Sequence, residues 1–339
     1  MGSVEDAFGD DPDAGAGQIF AGDILEMLQL RSSDALPSWL AAQLTGLYGA
    51  SRARVLRVLP GAAARSRSTP QHALFSMEEP RAADASRLVA GDALIDAAIR
   101  EARPWCLERN AAGTRLLLTL SVAGRVRFVV EVRGMFDAGD GGRLASLAAI
   151  ATRYFERLID AETDPLTQLF NRRAFQSQLD SSLRRGVMAD RPWYFAMLDI
   201  DHFKRVNDEF GHLYGDEILV RFARLMRETF RATDLMYRFG GEEFVVLYGV
   251  DSEDAGETPL ERFRAAVERH PFPGGRVTVS AGHARIGDTT PVSTLIDRAD
   301  VALYYAKMHG RNRVCGFEKL VAEGRLEAAP PHRDVTLFD

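Results

Sequence analysis

Cysteine is nearly absent: Cys106 and Cys315 are the only two in 339 residues. They stand far apart and without CxxC spacing, which argues against a disulfide framework or a structural zinc site and fits a reducing compartment, with the cytoplasm as the expected location. No segment approaches 18 uninterrupted apolar residues, so no transmembrane helix is expected. A basic-then-apolar leader is also missing, because the opening MGSVEDAFGDDPDAGAG is acidic and glycine-rich. Residues 1–17 therefore read as a disordered tail. Positive charge is not in excess either: the net charge of -6 gives no reason to expect nucleic-acid binding, and any anion site must be local.

What is present is an ordinary globular composition, 46% hydrophobic and 27% charged, in a chain long enough for two domains. From residue 18 to about 140, IFAGDILEMLQL and LPSWLAAQLTGLYG read as helices, with Asp34 as a cap before the second. RARVLRVLP, HALFSM, RLLLTLSV and RVRFVVEVRG read as strands, the last two joined at Ala123 and Gly124 as a hairpin. Helices flanking an antiparallel sheet predict an α+β sensory or dimerisation domain, and the order of its elements resembles a GAF-type domain.

After GDGG, residues 141–163 read as a connecting helix. Leu144, Leu147, Ala148, Ala151, Tyr154, Phe155 and Leu158 recur at three and four residues. That stripe admits two readings, a parallel dimer seam or a helix packed on its own domain.

Residues 164–318 form the second predicted domain, and 319–339 a carboxy-terminal tail. PWYFAMLDI is a buried strand, and Gly215 to Thr233 is an amphipathic helix. LMYRF and EEFVVLYG flank Gly240 and Gly241 as a hairpin. TPLERFRAAVERH, RVTVSAGHARI, VSTLIDRADVALYYAKMHG and RVCGF then alternate helix and strand. At the hairpin tip glycines give room for a bulky anion to approach the backbone. Glu242 and Glu243 point to opposite sides of their strand, since successive side chains alternate. The MLDID strand end places Asp199 and Asp201 at a second sheet edge. If the two edges adjoin, Asp199 and a glutamate make an oxygen-rich site of the kind that binds Mg²⁺ together with phosphates. A lone acid pair at a turn is otherwise an ordinary solvated one.

Four stretches, DPLTQLFNRRAF, DIDHFKRVNDEFGHLYGDEIL, RFGGEEF and YYAKMHGRNRV, occur in an order and spacing that resemble the GGDEF family, the diguanylate cyclases. The resemblance covers about residues 163–317 and implies a nucleotidyl-cyclase-like, ferredoxin-like palm fold. It implies that Asp199, Glu242, Glu243 and the main-chain carbonyl of Ile200 bind Mg²⁺, or Mn²⁺ in its place. Glu242 would also help activate the attacking hydroxyl. Lys204, Lys307 and Arg311 would hold the triphosphate of GTP, with Arg238 beside the glycines as a further substrate contact. Asn207 and Asp216 would read guanine, and His212 would shape the nucleotide pocket. His202 stands where the family commonly has an aromatic residue; there it stacks, hydrogen-bonds, or is a tolerated swap in a turn.

The carry-over has chemical sense. A carboxylate accepting from guanine N1 and N2 selects against adenine. Lys307 and Arg311, four apart near a helix end, can face one anion. The family's inhibitory product site is an RxxD ahead of the glycines, and Arg231 with Asp234 fits that placement, with Arg264 as a second contact. The expectation is a homodimeric enzyme that joins two GTP into cyclic di-GMP and is governed by an unidentified signal to its first domain. A non-enzymatic cyclic di-GMP receptor of the same fold is the alternative.

Overall fold

The computed structural model describes residues 26–30, 32–50, 52–60, 72–76, 92–110, 113–134, 136, 140–176, 191–231, 233–287 and 290–327. The expected tail at 1–17, most of the helix expected over 19–30 and the last part of the carboxy-terminal tail lie outside those residues. The chain divides into two compact units, Met1–Glu162 and Thr163–Asp339.

In the first unit, helix α1 (Ala35–Tyr48) precedes strands β1 (Arg52–Pro60) and β2 (His72–Ser76). Helix α2 (Ala93–Arg100) follows, then β3 (Trp105–Asn110), β4 (Gly113–Val122), β5 (Arg125–Gly134) and helix α3 (Gly141–Glu162). The strands form one antiparallel sheet in the order β2-β1-β5-β4-β3. Ala123 and Gly124 turn the β4–β5 hairpin with φ of 49° and 72°, the positive values that suit a two-residue turn to the strand twist.

Alternation gives each sheet face its own cover. Val55, Leu116, Leu118, Val130 and Val132 pack against Leu40 and Leu44 of α1 and Leu144, Ala148, Ala151 and Phe155 of α3. On the other face Leu56, Leu117 and Val129 meet Ile95 and Ala98 of α2. The α3 stripe is thus buried within its own unit, with Leu147 and Tyr154 half-buried at its margin. At the end of α3 the Glu162 carboxylate, also buried, accepts from the amide and hydroxyl of Ser33. Two elements escape the sequence reading. Helix α2 is only two turns long, capped by Asp92 accepting from the amides of Leu94 and Ile95, and β3 is a six-residue strand whose second half holds Glu108 and Arg109.

The second unit contains β6 (Phe170–Asn171), β7 (Trp193–Ile200), α4 (Phe203–Phe210), α5 (His212–Thr229), β8 (Leu235–Gly240) and β9 (Glu243–Gly249). These lead to α6 (Thr258–Arg269), β10 (Val279–Arg285), α7 (Val292–Met308), β11 (Val314–Gly316) and α8 (Phe317–Ala322). Its sheet runs β11-β10-β7-β9-β8-β6, antiparallel at the centre and parallel in its two outermost pairs. Mixed helix and sheet in this arrangement is an α+β fold, as expected.

Strand β7 is buried at every position, so its apolar run is continuous and the acid closing it is conspicuous. Ile218, Leu219, Phe222 and Met226 of α5 cover one side of the sheet. Ala299 and Leu303 of α7 cover the other. Helix α7 rides directly on β10, because a Cβ at Gly282 would collide with the Leu303 amide and the Ala299 carbonyl. The helix expected from Gly215 begins three residues earlier. A separate short helix, α4, precedes it across Gly211, whose φ of 86° makes the break.

Candidate active site

The two edges proposed from sequence do adjoin. Strands β7 and β9 are hydrogen-bonded neighbours, and Asp199 stands directly opposite Glu243 in the ladder. Opposed side chains in such a pair lie about 5 Å apart at Cβ, and like charges there destabilise a sheet. Asp199 is 5% exposed, and Lys307 from α7 places Nζ 2.8 Å from its Oδ2. Glu242 and Glu243 are half-buried at the hairpin tip, where Gly241 has φ of 44°.

Electrostatics record the crowding. Burial pushes the Asp199 carboxyl above its ordinary range, opposed by the Lys307 ammonium. Burial also raises Glu242 and Glu243, and the charge of Asp199 raises both further. Three carboxyls whose ionisation burial disfavours, with the Lys307 ammonium beside them, form a centre that added positive charge would favour.

Two acids fix this centre from behind. Asp164 accepts from the Thr167 amide at 2.8 Å and hydroxyl at 2.7 Å, and from Arg238 Nη1 at 3.2 Å. Arg238 also donates to the Gly241 carbonyl, Nη2 at 2.9 Å and Nε at 3.2 Å, so it braces the hairpin turn. Buried Asp201 accepts from Ser280 and Thr278 hydroxyls, each at 2.7 Å, and from the Asn312 amide at 3.0 Å. It thereby pins the turn after α7, where Arg311 and Asn312 adopt φ of 59° and 44°. Sequence reasoning gave neither acid this work. The DPLT string was the available signal for Asp164; Asp201 had only its place two residues after Asp199.

The remaining expected residues sit as follows. Ile200 is buried beside Asp199, and its amide meets the Glu242 carbonyl at 3.4 Å. Lys204 is exposed on α4, with Asn207 half-buried one turn later. His212 and Asp216 are exposed in the first turns of α5. Any side chain at Gly215 would strike the Asn207 amide, so that glycine lets α4 and α5 close around it. Arg311 is exposed. His202 caps α4 in the left-handed region, φ 61°, and is exposed.

Around the expected product site the side chains diverge. Arg231 is exposed and reaches Asp251 at 3.3 Å, whereas Asp234 turns inward and accepts from the Arg231 amide at 2.8 Å. Burial lifts the Asp234 carboxyl to about 6, and its Oδ1 has no hydrogen-bond partner. Arg264 is held by Glu261 at 2.8 Å, Glu268 at 2.7 Å and Asn312 at 3.0 Å.

Residues 161–313 match the family model described as "Diguanylate cyclase, GGDEF domain", and this segment belongs to that family. Among curated relatives, the diguanylate cyclase DgcP of Pseudomonas aeruginosa is 39% identical over 201 residues, 57% of this chain and 28% of that protein. The response regulator PleD of Caulobacter vibrioides is 42% identical over 163 residues, 46% of this chain and 36% of that protein. The chain thus spans about a third of the length of these relatives. Among solved structures, the coiled coil and GGDEF domain of DgcB from Caulobacter crescentus, in complex with c-di-GMP, is 34% identical. The match covers 51% of this chain and 97% of that one, with a TM-score of 0.45.

Proposed function

We propose that the chain is a diguanylate cyclase, joining two GTP into cyclic di-GMP with release of two pyrophosphates. The observation that supports it most is the Asp199–Glu243 pair, opposed across the ladder, with Lys307 on the buried Asp199. A merely structural sheet gains nothing from that repulsion.

The donor set fits a hard divalent cation, Mg²⁺ or Mn²⁺. Among the described residues no group of three His, Cys, Asp or Glu is gathered as a complete metal cage. Mg²⁺ characteristically takes one or two carboxylates plus substrate phosphates, so the Asp199–Glu243 pair with Glu242 and the Ile200 carbonyl suits it. When bound, such an ion neutralises phosphate charge and lowers the pKa of an attacking hydroxyl.

The chain's own residues do the rest. Lys307 and Arg311, with Lys204, hold the triphosphate; Asn207 and Asp216 accept from guanine, and His212 shapes the pocket. Glu242 takes the proton from a ribose 3′ hydroxyl as its oxygen bonds to the α-phosphorus of the other GTP. The bond from that phosphorus to pyrophosphate breaks in line. One GTP per unit means that two such units must face each other, so the active species is a homodimer.

Arg238 serves this site by shaping the hairpin through Gly241 and Asp164. Product inhibition centres on Arg231 and Asp234, on the strength of their placement ahead of the glycines, with Arg264 as the second contact. The first unit, GAF-like in its order of elements, carries the regulatory input. Purified full-length chain incubated with GTP and Mg²⁺, its nucleotides separated by chromatography, should yield cyclic di-GMP. A chain that binds cyclic di-GMP yet makes none would instead be a receptor.

A further inference from the structure

One ladder row of the first unit's sheet reads Glu108, Arg115, Arg133 and Arg52, on β3, β4, β5 and β1 in turn. Three arginines are therefore neighbours on adjacent strands, an arrangement that costs stability unless negative charge is supplied. The next row on the same face places Glu131 between Leu117 and Arg54. Glu131 has a side chain 3% exposed and accepts from Arg115 Nε at 2.9 Å and Arg133 Nε at 3.2 Å, and it pairs with Arg54. Arg115 is further engaged by Asp92 and, at 3.5 Å, by Glu108.

Arg54, Arg115 and Arg133 are thus each engaged by a carboxylate. Arg52 is exposed and makes no ion pair among the described residues. Arg52, Ala53, Arg54, Glu131 and Arg133 line a shallow depression open to solvent.

We propose that this depression is an oxyanion site of the first unit, taking a carboxylate or phosphate group of a small metabolite. Arg52 supplies an uncommitted guanidinium, and Glu131 holds Arg54 and Arg133 in position beside it. The planar fork of arginine matches both kinds of oxyanion, two bonds at a time. The ligand adds negative charge where three arginines stand on adjacent strands.

Calorimetric titration of the full chain tests this, with inorganic phosphate in one arm and acetate in another, at ionic strength fixed with chloride. Saturable binding is expected in at least one arm, weakened roughly tenfold by Arg52→Gln, the loss of a hydrogen bond to a charged group. Arg52 is exposed and unpaired and stands opposite another arginine, so without added anion the variant should melt at or slightly above the wild-type midpoint. Response to phosphate alone assigns a phosphate, to acetate alone a carboxylate, and to both a general oxyanion site. Binding in neither arm, or binding unchanged by Arg52→Gln, overturns the proposal. Phosphate held in the second unit is untouched by this substitution and so is separated from it.

Discussion

Each unit buries a carboxylate in the middle of its sheet, opposite a charged residue on the next strand, and the two are treated in contrary ways. Glu131 faces Arg54 and is surrounded by three guanidinium groups. Asp199 faces another acid, Glu243, with one ammonium in reach. The first carboxylate is compensated in excess by the protein's own cations. The second is open, and its deficit is what a divalent cation and a triphosphate together would fill. Buried charge alone is therefore no mark of function; its lack of compensation is.

The contrast is broken most severely by Glu243→Gln. Turnover of GTP should fall by a thousandfold or more, on the order of ~4 kcal/mol of lost charge stabilisation, with circular dichroism unchanged. Retained synthesis would remove Glu243 from the proposed metal site. Glu131→Gln should act on stability instead. It leaves Arg115 buried with less negative charge, and urea unfolding of the first unit should show a loss of about 3–5 kcal/mol.

Asp234 gives a pH signature of its own. Its carboxyl is raised to about 6 from an ordinary 3.8, so the folded state holds the proton more tightly than the unfolded one. Its contribution to stability is greatest below pH 4, declines as pH rises toward 6 and is gone above. That gap, at ~1.4 kcal/mol per unit, amounts to about 3 kcal/mol. The difference in melting midpoint between wild type and Asp234→Asn should change across pH 4–6 and be level above 7; a constant difference would place the titration elsewhere.

Two smaller effects sharpen the comparison. Lys307→Met should raise nucleotide-free Mn²⁺ affinity by up to about fivefold, since the ammonium on Asp199 competes with the ion in a partly exposed pair. The same variant should weaken GTP binding. Paramagnetic titration and nucleotide calorimetry read the two separately. Glu243→Gln, without metal, should stabilise the second unit by about 0.5–1 kcal/mol through relief of the opposed charges, opposite in sign to Glu131→Gln.

The sequence made the second unit's centre readable because its signals are local. A glycine pair fixes the tip of a hairpin, an apolar run defines β7, and the acids sit one residue from those landmarks. The brace behind the centre was not readable. Arg238 meets Asp164 across 74 positions and Asp201 meets Asn312 across 111, and nothing near either residue announces its partner. The α3 stripe was ambiguous for another physical reason: an apolar face looks the same whether it meets a second copy or its own sheet. Here Leu144, Ala148, Ala151 and Phe155 meet their own sheet. Helix α2 was missed because two turns are too few to show a period, although Asp92 offered a cap.

The contact at Gly282 extends this view to a part of the molecule that touches no substrate. Helix α7 is seated backbone to backbone on β10 at that one position, and Lys307 lies about one turn beyond Leu303 along the same rod. A single methyl group at residue 282 would wedge the rod off its bed and swing the ammonium away from Asp199, so the reach of a cation toward its anion is set by the emptiness under a helix.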